Sequence, residues 1–389
     1  MFKRFVRNGY LMKSFFIYSE KDAAFEYSPG HPFRPERTIR TYQLCNKYHL
    51  FNEPWISVVS PEPVPNEALL LFHTEKYLSL LKAAGRGEMN LDIATAGIGT
   101  SDNPIFPGLF EKSNLAAGGT WVGGDRVMAV EGKAIAFNTM GGFHHAYPDG
   151  AEGFCYINDL AVFGKYLRKN GKRFAYIDID VHHGNGVQDA FYDDDGALVI
   201  SLHQSGHTLY PGTGFENEIG SGLGRGYTIN VPLPPQTDDE LYLMAFHEIV
   251  PAAIEAFKPD LIIAQLGIDT LSNDPLALLC LTNNGYVKIV RSISDMTEKL
   301  VATGGGGYNI DNVVRGWTLA WAAMNGLFLD DPFVGSIGGA LRGTEIEGGG
   351  LHDRHLYITG PTKEKNEEEI RRVISYIKKN VFPILGAKG

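Results

Sequence analysis

The sequence predicts an α/β fold of one domain built on a mainly parallel sheet. Short β-branched, apolar runs alternate with stretches of helical period, the pattern of strand–helix–strand folds. The runs are continuously apolar, as strands buried on both faces are. No linker-like stretch, internal repeat or low-complexity tract divides the 389 residues.

The elements follow in order. "NDLAVFGKYLRKNG" (158–171) opens on an Asn/Asp cap and stops at Gly171, which defines a helix. "RFAYIDID" (173–180) and "ALVISLH" (197–203) read as strands, as do "YTINVPL" (227–233), "DLIIAQLGID" (260–269) and "KLVATGG" (299–305). "TDDELYLMAFHEIVPAAIEAF" (237–257) is a helix with acids in its first turn, where the helix dipole favours them, and Pro251 is expected to kink it. Two further helices are expected in "NNGYVKIVRSISDMTEKL" and "DNVVRGWTLAWAAMNGL". "KEKNEEEIRRVISYIKKN" reads as a charged surface helix.

Composition narrows the function. A net charge of −10 argues against a general nucleic-acid surface, which would be basic. No apolar run is long enough to span a bilayer, and the basic, apolar start lacks the h-region of a signal peptide. Met12 is a candidate natural start, with residues 1–14 as an N-terminal extension and 15–389 as the catalytic domain. Cys45, Cys155 and Cys280 are too few and scattered for a disulfide framework, which fits a reducing cytoplasm.

Open α/β sheets place function at the C-terminal ends of their strands. Here "DIDVHHGNG", "QLGIDTLSNDP", "SLH" and "GGGGY" each end a strand. Asp178, Asp180 and His182 share one side of theirs by the period of two. Carboxylates crowded around an imidazole repel unless a cation joins them. Asp180, His182 and Asp269 therefore make a three-ligand set with an open position, as in a catalytic zinc site; iron(II), cobalt or manganese also fit. The competing reading is a strand end whose acids point to water. His144-His145, in "NTMGGFHHAYPDG", would ordinarily be surface or packing residues. Beside a metal they become candidates for general base and acid. "ATGGGGYN" could be a mere linker, but glycines there let Tyr308 turn over the rim to meet a developing oxyanion.

The segments "YSPGHPFRPER", "GGFHHA", "GFCYINDLAV", "DIDVHHGNGVQDAF", "LYPGTG", "QLGIDTLSNDPLA" and "GGGGYN" occur in the order of the conserved blocks of the histone deacetylase superfamily, which the chain resembles over roughly residues 15 to 385. The likeness is to prokaryotic acetoin-utilisation-type and zinc-dependent class I enzymes. It implies an arginase-like α/β domain around an eight-stranded parallel sheet.

The resemblance also implies roles. Asp180, His182 and Asp269 would hold Zn(2+), with Fe(2+) or Co(2+) as alternatives. Asp178 would pair with His144, and His145 would be the leading candidate for the base. Tyr308 would hold the substrate carbonyl. Gly153, Phe154 and Tyr210 would line the acyl-lysine channel, Leu276 and Gly306 would also bind substrate, and Asp102 would meet substrate backbone at the rim. K(+) would be bound through Asp178, Asp180, His182, Ser201 and Leu202, with a second, looser site near Phe191 and Tyr227. Arg37 would pair with buried groups behind the site. The chain departs from the class I pattern at Asn185, where those enzymes carry aspartate and class II shares asparagine, and at Tyr210, where many relatives carry phenylalanine.

Cys155, His183 and His203 read as packing or structural residues, and Asp193-Asp194-Asp195 as a solvated turn. The expected activity is removal of acetyl, or another acyl group, from the acetylated lysine of a protein or peptide. The rivals are an acetylpolyamine amidohydrolase, a dinuclear manganese ureohydrolase and a catalytically silent acyl-lysine binder. "GIDTLSND" lacks the second aspartate, two residues after Asp269, that the ureohydrolase would need.

Overall fold

A computed structural model describes residues 12–20, 27–329 and 350–388. Most of the extension expected over residues 1–14 lies outside these, while Lys13 and Ser14 already belong to a strand. Eight strands form one sheet: β1 (Lys13–Ile17), β2 (Ile56–Val59), β3 (Ala134–Asn138), β4 (Phe174–Asp178), β5 (Ala197–Gln204), β6 (Thr228–Leu233), β7 (Leu261–Gln265) and β8 (Lys299–Thr303). Their spatial order is β2-β1-β3-β8-β7-β4-β5-β6, and every neighbouring pair is parallel.

Alternation within the central strands loads two cores. In β4, Ala175 and Ile177 join one apolar cluster while Phe174 and Tyr176 join the other. In β7, Ile262 and Ala264 divide from Leu261 and Ile263 in the same way. Apolar side chains on both faces explain why these strands read as unbroken hydrophobic runs.

Helices cover both faces. Asp159–Lys169 is capped by the Asn158 side chain, which accepts from Ala161 N. In Asp239–Phe257 the Asp238 cap accepts from Leu241 N, and the helix continues past Pro251 to Phe257. The C-terminal helix Pro361–Asn380 is not wholly a surface element: Ile370, Val373, Ile374 and Ile377 are buried on one face.

Strand limits differ from the sequence reading. The alternating pattern of 173–180 outlasts the ladder, so Asp180 and His182 lie in the loop beyond β4. Asp269 likewise stands four residues past the end of β7. Strands β1 to β3 are absent from the residue-by-residue reading, because runs as short as "ISVV" and "AIAFN" carry little periodicity.

Candidate active site

Four adjacent central strands, β3, β8, β7 and β4, send their C-terminal loops to one place on the rim. The loop after β4 brings Asp180 and His182, and the loop after β7 brings Asp269. Their ligand atoms lie within 4.8 Å of one another, and this is the one such group among the described residues. His182 Nδ1 is 3.2 Å from Asp180 Oδ1 and 3.1 Å from Asp269 Oδ2. The other carboxylate oxygens are fixed. Asp180 Oδ2 accepts from Gln265 Nε2 and Gly306 N, both at 2.7 Å, and Asp269 Oδ1 accepts from Val181 N at 2.9 Å.

All three side chains are buried. Burial and the Asp180 charge push Asp269 up to about 7. Burial opposes charge on His182, yet its hydrogen bonds to the two carboxylates push it up to about 10. Two buried acids around one nitrogen demand positive charge, and the donor set, two oxygens and one nitrogen, suits a divalent ion. Backbone must come close here. A Cβ on Gly306 would lie 1.9 Å from Asp269 Oδ2, so only glycine fits.

The loop after β3 carries the histidine pair. His144 Nδ1 is 2.8 Å from Asp178 Oδ2, which also accepts from the Tyr176 hydroxyl. His145 Nδ1 is 2.6 Å from Asn185 Oδ1. The two Nε2 atoms face each other at 3.1 Å, and His144 Nε2 stands 4.0 Å from Asp180 Oδ1. Burial opposes charge on His144, but the Asp178 and Asp180 carboxylates outweigh it and raise its pKa. Burial, then the charges of His144 and His182, hold His145 well below the usual histidine range. The pair is therefore split, with His144 raised and His145 lowered. Since Asn185 Oδ1 accepts from Nδ1–H, the lone pair of His145 sits on Nε2.

Asp159 holds this loop from below, accepting from Gly142 N, Phe143 N and the Thr120 hydroxyl. In the loop after β8, Arg37 donates to the carbonyls of Gly305 and Gly307 while its guanidinium lies over the Phe33 and Trp317 rings. Arg37 therefore serves backbone carbonyls, with no carboxylate in direct contact among the described residues. The Tyr308 ring stands edge-on to His182, with centroids 6.5 Å apart, and to Phe154 at 5.7 Å.

Phe154 and Tyr210 flank the approach. The Tyr210 ring is edge-on to His145, with centroids 5.2 Å apart. Gly153 is left-handed at φ 52°, and a Cβ there would strike the His145 ring. Leu276 is half-buried on the loop after β7. Asp102 is exposed; its carbonyl accepts from His31 Nε2, and the His31 ring packs edge-on against Phe154. Beneath these lies a small cavity, about 20 Å³, reached by Phe33, His144, Phe154 and Tyr308.

The structure thus gathers the candidate ligands, the histidine pair, Asn185, Tyr308 and the channel residues. The strand end "SLH" stands apart from them: His203 bonds the Ser201 hydroxyl and the Gly214 carbonyl. His183 bonds Thr213 and Gln188. Ser201 pairs with Asp178 across β5 and β4, and the Leu202 carbonyl accepts from Tyr242. The Tyr227 carbonyl accepts from Val199 N, and that of Phe191 from Asp194 N. Sequence reasoning missed Gln265, Asp159 and Asp274. Asp159 was absorbed into the helix cap, whereas Gln265 stood in plain view as a polar residue ending an apolar strand.

Sheet order, strand-end loops and charged rim together define the arginase/deacetylase fold. The Histone deacetylase domain profile matches residues 31–324, and the chain belongs to the histone deacetylase family, a family of hydrolases. It is 39% identical to the acetoin utilization protein AcuC of Bacillus subtilis over 81% of this chain and 82% of that protein. It is 36% identical to histone deacetylase B of Dictyostelium discoideum over 78% and 71% of the two chains. A solved HDAC homologue from Aquifex aeolicus superposes with a TM-score of 0.84 at 32% identity, covering 94% of this chain and all of that one. An HDAC homologue solved in complex with SAHA matches at 33% identity with the same TM-score and coverage.

Proposed function

We propose that the protein removes acetyl groups from lysine side chains of proteins or peptides, using a divalent ion held by Asp180, His182 and Asp269. The observation that carries this reading is the buried Asp-His-Asp group with His145 and Tyr308 beside it. Zinc suits the donor set, and iron(II) or cobalt could replace it. When bound, the ion supplies a Lewis acid for the amide carbonyl and acidifies water.

This chain's own groups do the rest. Phe154 and Tyr210 guide the lysine stem, and Asp102 meets substrate backbone. His145 Nε2 takes the proton of the attacking water, held in the right tautomer by Asn185. His144, kept protonated by Asp178, carries a proton to the leaving amine. The Tyr308 hydroxyl donates to the carbonyl oxygen as it gains charge. A potassium ion bound through Asp178, Asp180, His182, Ser201 and Leu202 would compensate the acids behind the site. No helix of the described residues is long and apolar enough to cross a membrane.

Turnover of an acetyl-lysine peptide, longer acyl-lysine peptides and acetylspermidine tests the proposal. Release of acetate from the peptide supports it. Hydrolysis of acetylspermidine alone favours the polyamine reading, and binding without hydrolysis favours a silent reader.

A further inference from the structure

The Tyr308 hydroxyl has no hydrogen-bond partner among the described residues, so its position depends on its backbone and on ring packing. That backbone is permissive. Gly305 and Gly307, just before it, have φ of 136° and 132°, which glycine alone adopts readily. Something must fix the chain after the glycines. The buried carboxylate of Asp274 does so from the neighbouring loop: its Oδ2 accepts from Tyr308 N at 2.8 Å and from Asn309 N at 3.3 Å. Its other oxygen, Oδ1, accepts from Leu276 N at 3.0 Å.

We propose that Asp274 is a positioning residue that ties the loop after β8 to the loop after β7, setting together the reach of the Tyr308 hydroxyl and the channel wall at Leu276. One side chain thereby couples the loop that carries Tyr308 to the loop that carries Leu276. Two asparagines brace the same junction. Asn309 Nδ2 donates to the Asn273 carbonyl at 3.3 Å, and Asn312 Nδ2 to the Ser272 carbonyl at 3.0 Å. A carboxylate suits this place because all three of its partners are N–H donors. Asparagine, with one oxygen and one NH2 group, satisfies one side and sets donor against donor on the other.

The inference rests on the deacetylase reading, and its test separates the two. Asp274→Asn should lower kcat on an acetyl-lysine peptide about 10- to 100-fold, the cost of a displaced catalytic group. In a Tyr308→Phe background the same change should cost kcat less than about twofold, because the hydroxyl is no longer there to position, while the Leu276 wall is read in KM. Thermal midpoint and metal content are measured alongside. Losses that multiply in the double variant would overturn the assignment while leaving the deacetylase reading intact. A readout free of activity is the 19F resonance of 3-fluorotyrosine placed at residue 308, which Asp274→Asn should shift or broaden; an unmoved resonance also overturns it. If that variant does not fold, Asn312→Ala, which cuts one brace of the same junction, should move the resonance in the same sense, and no movement there overturns the inference.

Discussion

The Tyr210 hydroxyl donates to Glu152 Oε1 at 2.5 Å while its ring stands edge-on to His145. Burial and the Glu152 carboxylate push this phenol far above the usual tyrosine range, so it stays a donor. The bond joins the loop after β5 to the loop after β3 and gives the hydroxyl a use that phenylalanine would lack.

Tyr210→Phe keeps the ring against His145 and cuts that tie. Tyr210 is 42% exposed, so the bond is worth no more than about 1.5 kcal/mol. KM for an acetyl-lysine peptide should rise by no more than about tenfold, with kcat unchanged. Steady-state kinetics check this, and a fall in kcat with constant KM would contradict a role confined to the mouth.

Asp180→Ala, His182→Ala and Asp269→Ala should each purify with far less than the roughly one ion per chain expected of the parent protein, since three ligands leave no redundancy. Elemental analysis gives the answer, and full metal content in any one of them removes that residue from the set. Chelation should abolish turnover, and zinc or cobalt should restore it.

Tyr308→Phe removes the proposed oxyanion donor and keeps the ring against Phe154. Turnover should fall about 10²- to 10³-fold, with metal content unchanged. Intact turnover would mean that the hydroxyl never meets the carbonyl oxygen.

What the sequence made legible follows from its physics. The candidate ligands were readable because carboxylates and imidazoles embedded in apolar strand-end runs have no cheap structural explanation. The β3 loop was found by its histidines, not by its strand, because five residues of "AIAFN" carry too little period to declare themselves. Asp159 and Asp274 were missed because they serve backbone N–H groups of loops distant in sequence, such as Gly142 and Tyr308. A contact of that kind leaves no spacing rule in the chain. The partition of the central strands' side chains between two cores was likewise invisible until the sheet order was known.

His73 belongs to none of the proposed catalytic or ligand groups and gives a stability prediction. It is buried, and its Nε2 accepts from Asn158 N at 3.0 Å, so protonation would set donor against donor. Burial pushes its pKa down to about 4 from an unfolded value of 6.5. The folded state thus binds fewer protons than the unfolded state between those values. Its contribution is complete above pH 6.5 and is lost as pH falls toward 4, by up to about 1.4 kcal/mol per pH unit. Urea unfolding across this range should show a shallower slope for His73→Gln, whose amide oxygen can still accept from Asn158 N. Identical slopes would mean that His73 is already charged in the fold.

Asn185 sets the last prediction. Its Oδ1 accepts from His145 Nδ1 at 2.6 Å, and its Nδ2 donates to the Tyr147 hydroxyl at 3.1 Å, so the amide is oriented from both ends. An amide oxygen fixes the imidazole's tautomer without bringing a full negative charge. Burial, then the charge of the neighbouring His144, holds His145 well below the ordinary histidine range. A carboxylate in place of the amide would favour imidazolium and raise that pKa. A general base must be unprotonated in the free enzyme, so a higher pKa moves the acid limb of kcat/KM to higher pH. Asn185→Asp should shift the limb upward, with metal content unchanged. The new carboxylate also loses the donor to Tyr147, so Tyr147→Phe serves as a control that removes this partner alone and should leave the limb in place. Profiles from about pH 5 to 10 for the three proteins bracket the histidine range. An acid limb that stays put or moves down in Asn185→Asp, with fold and metal intact, would mean that His145 is not a base tuned by residue 185.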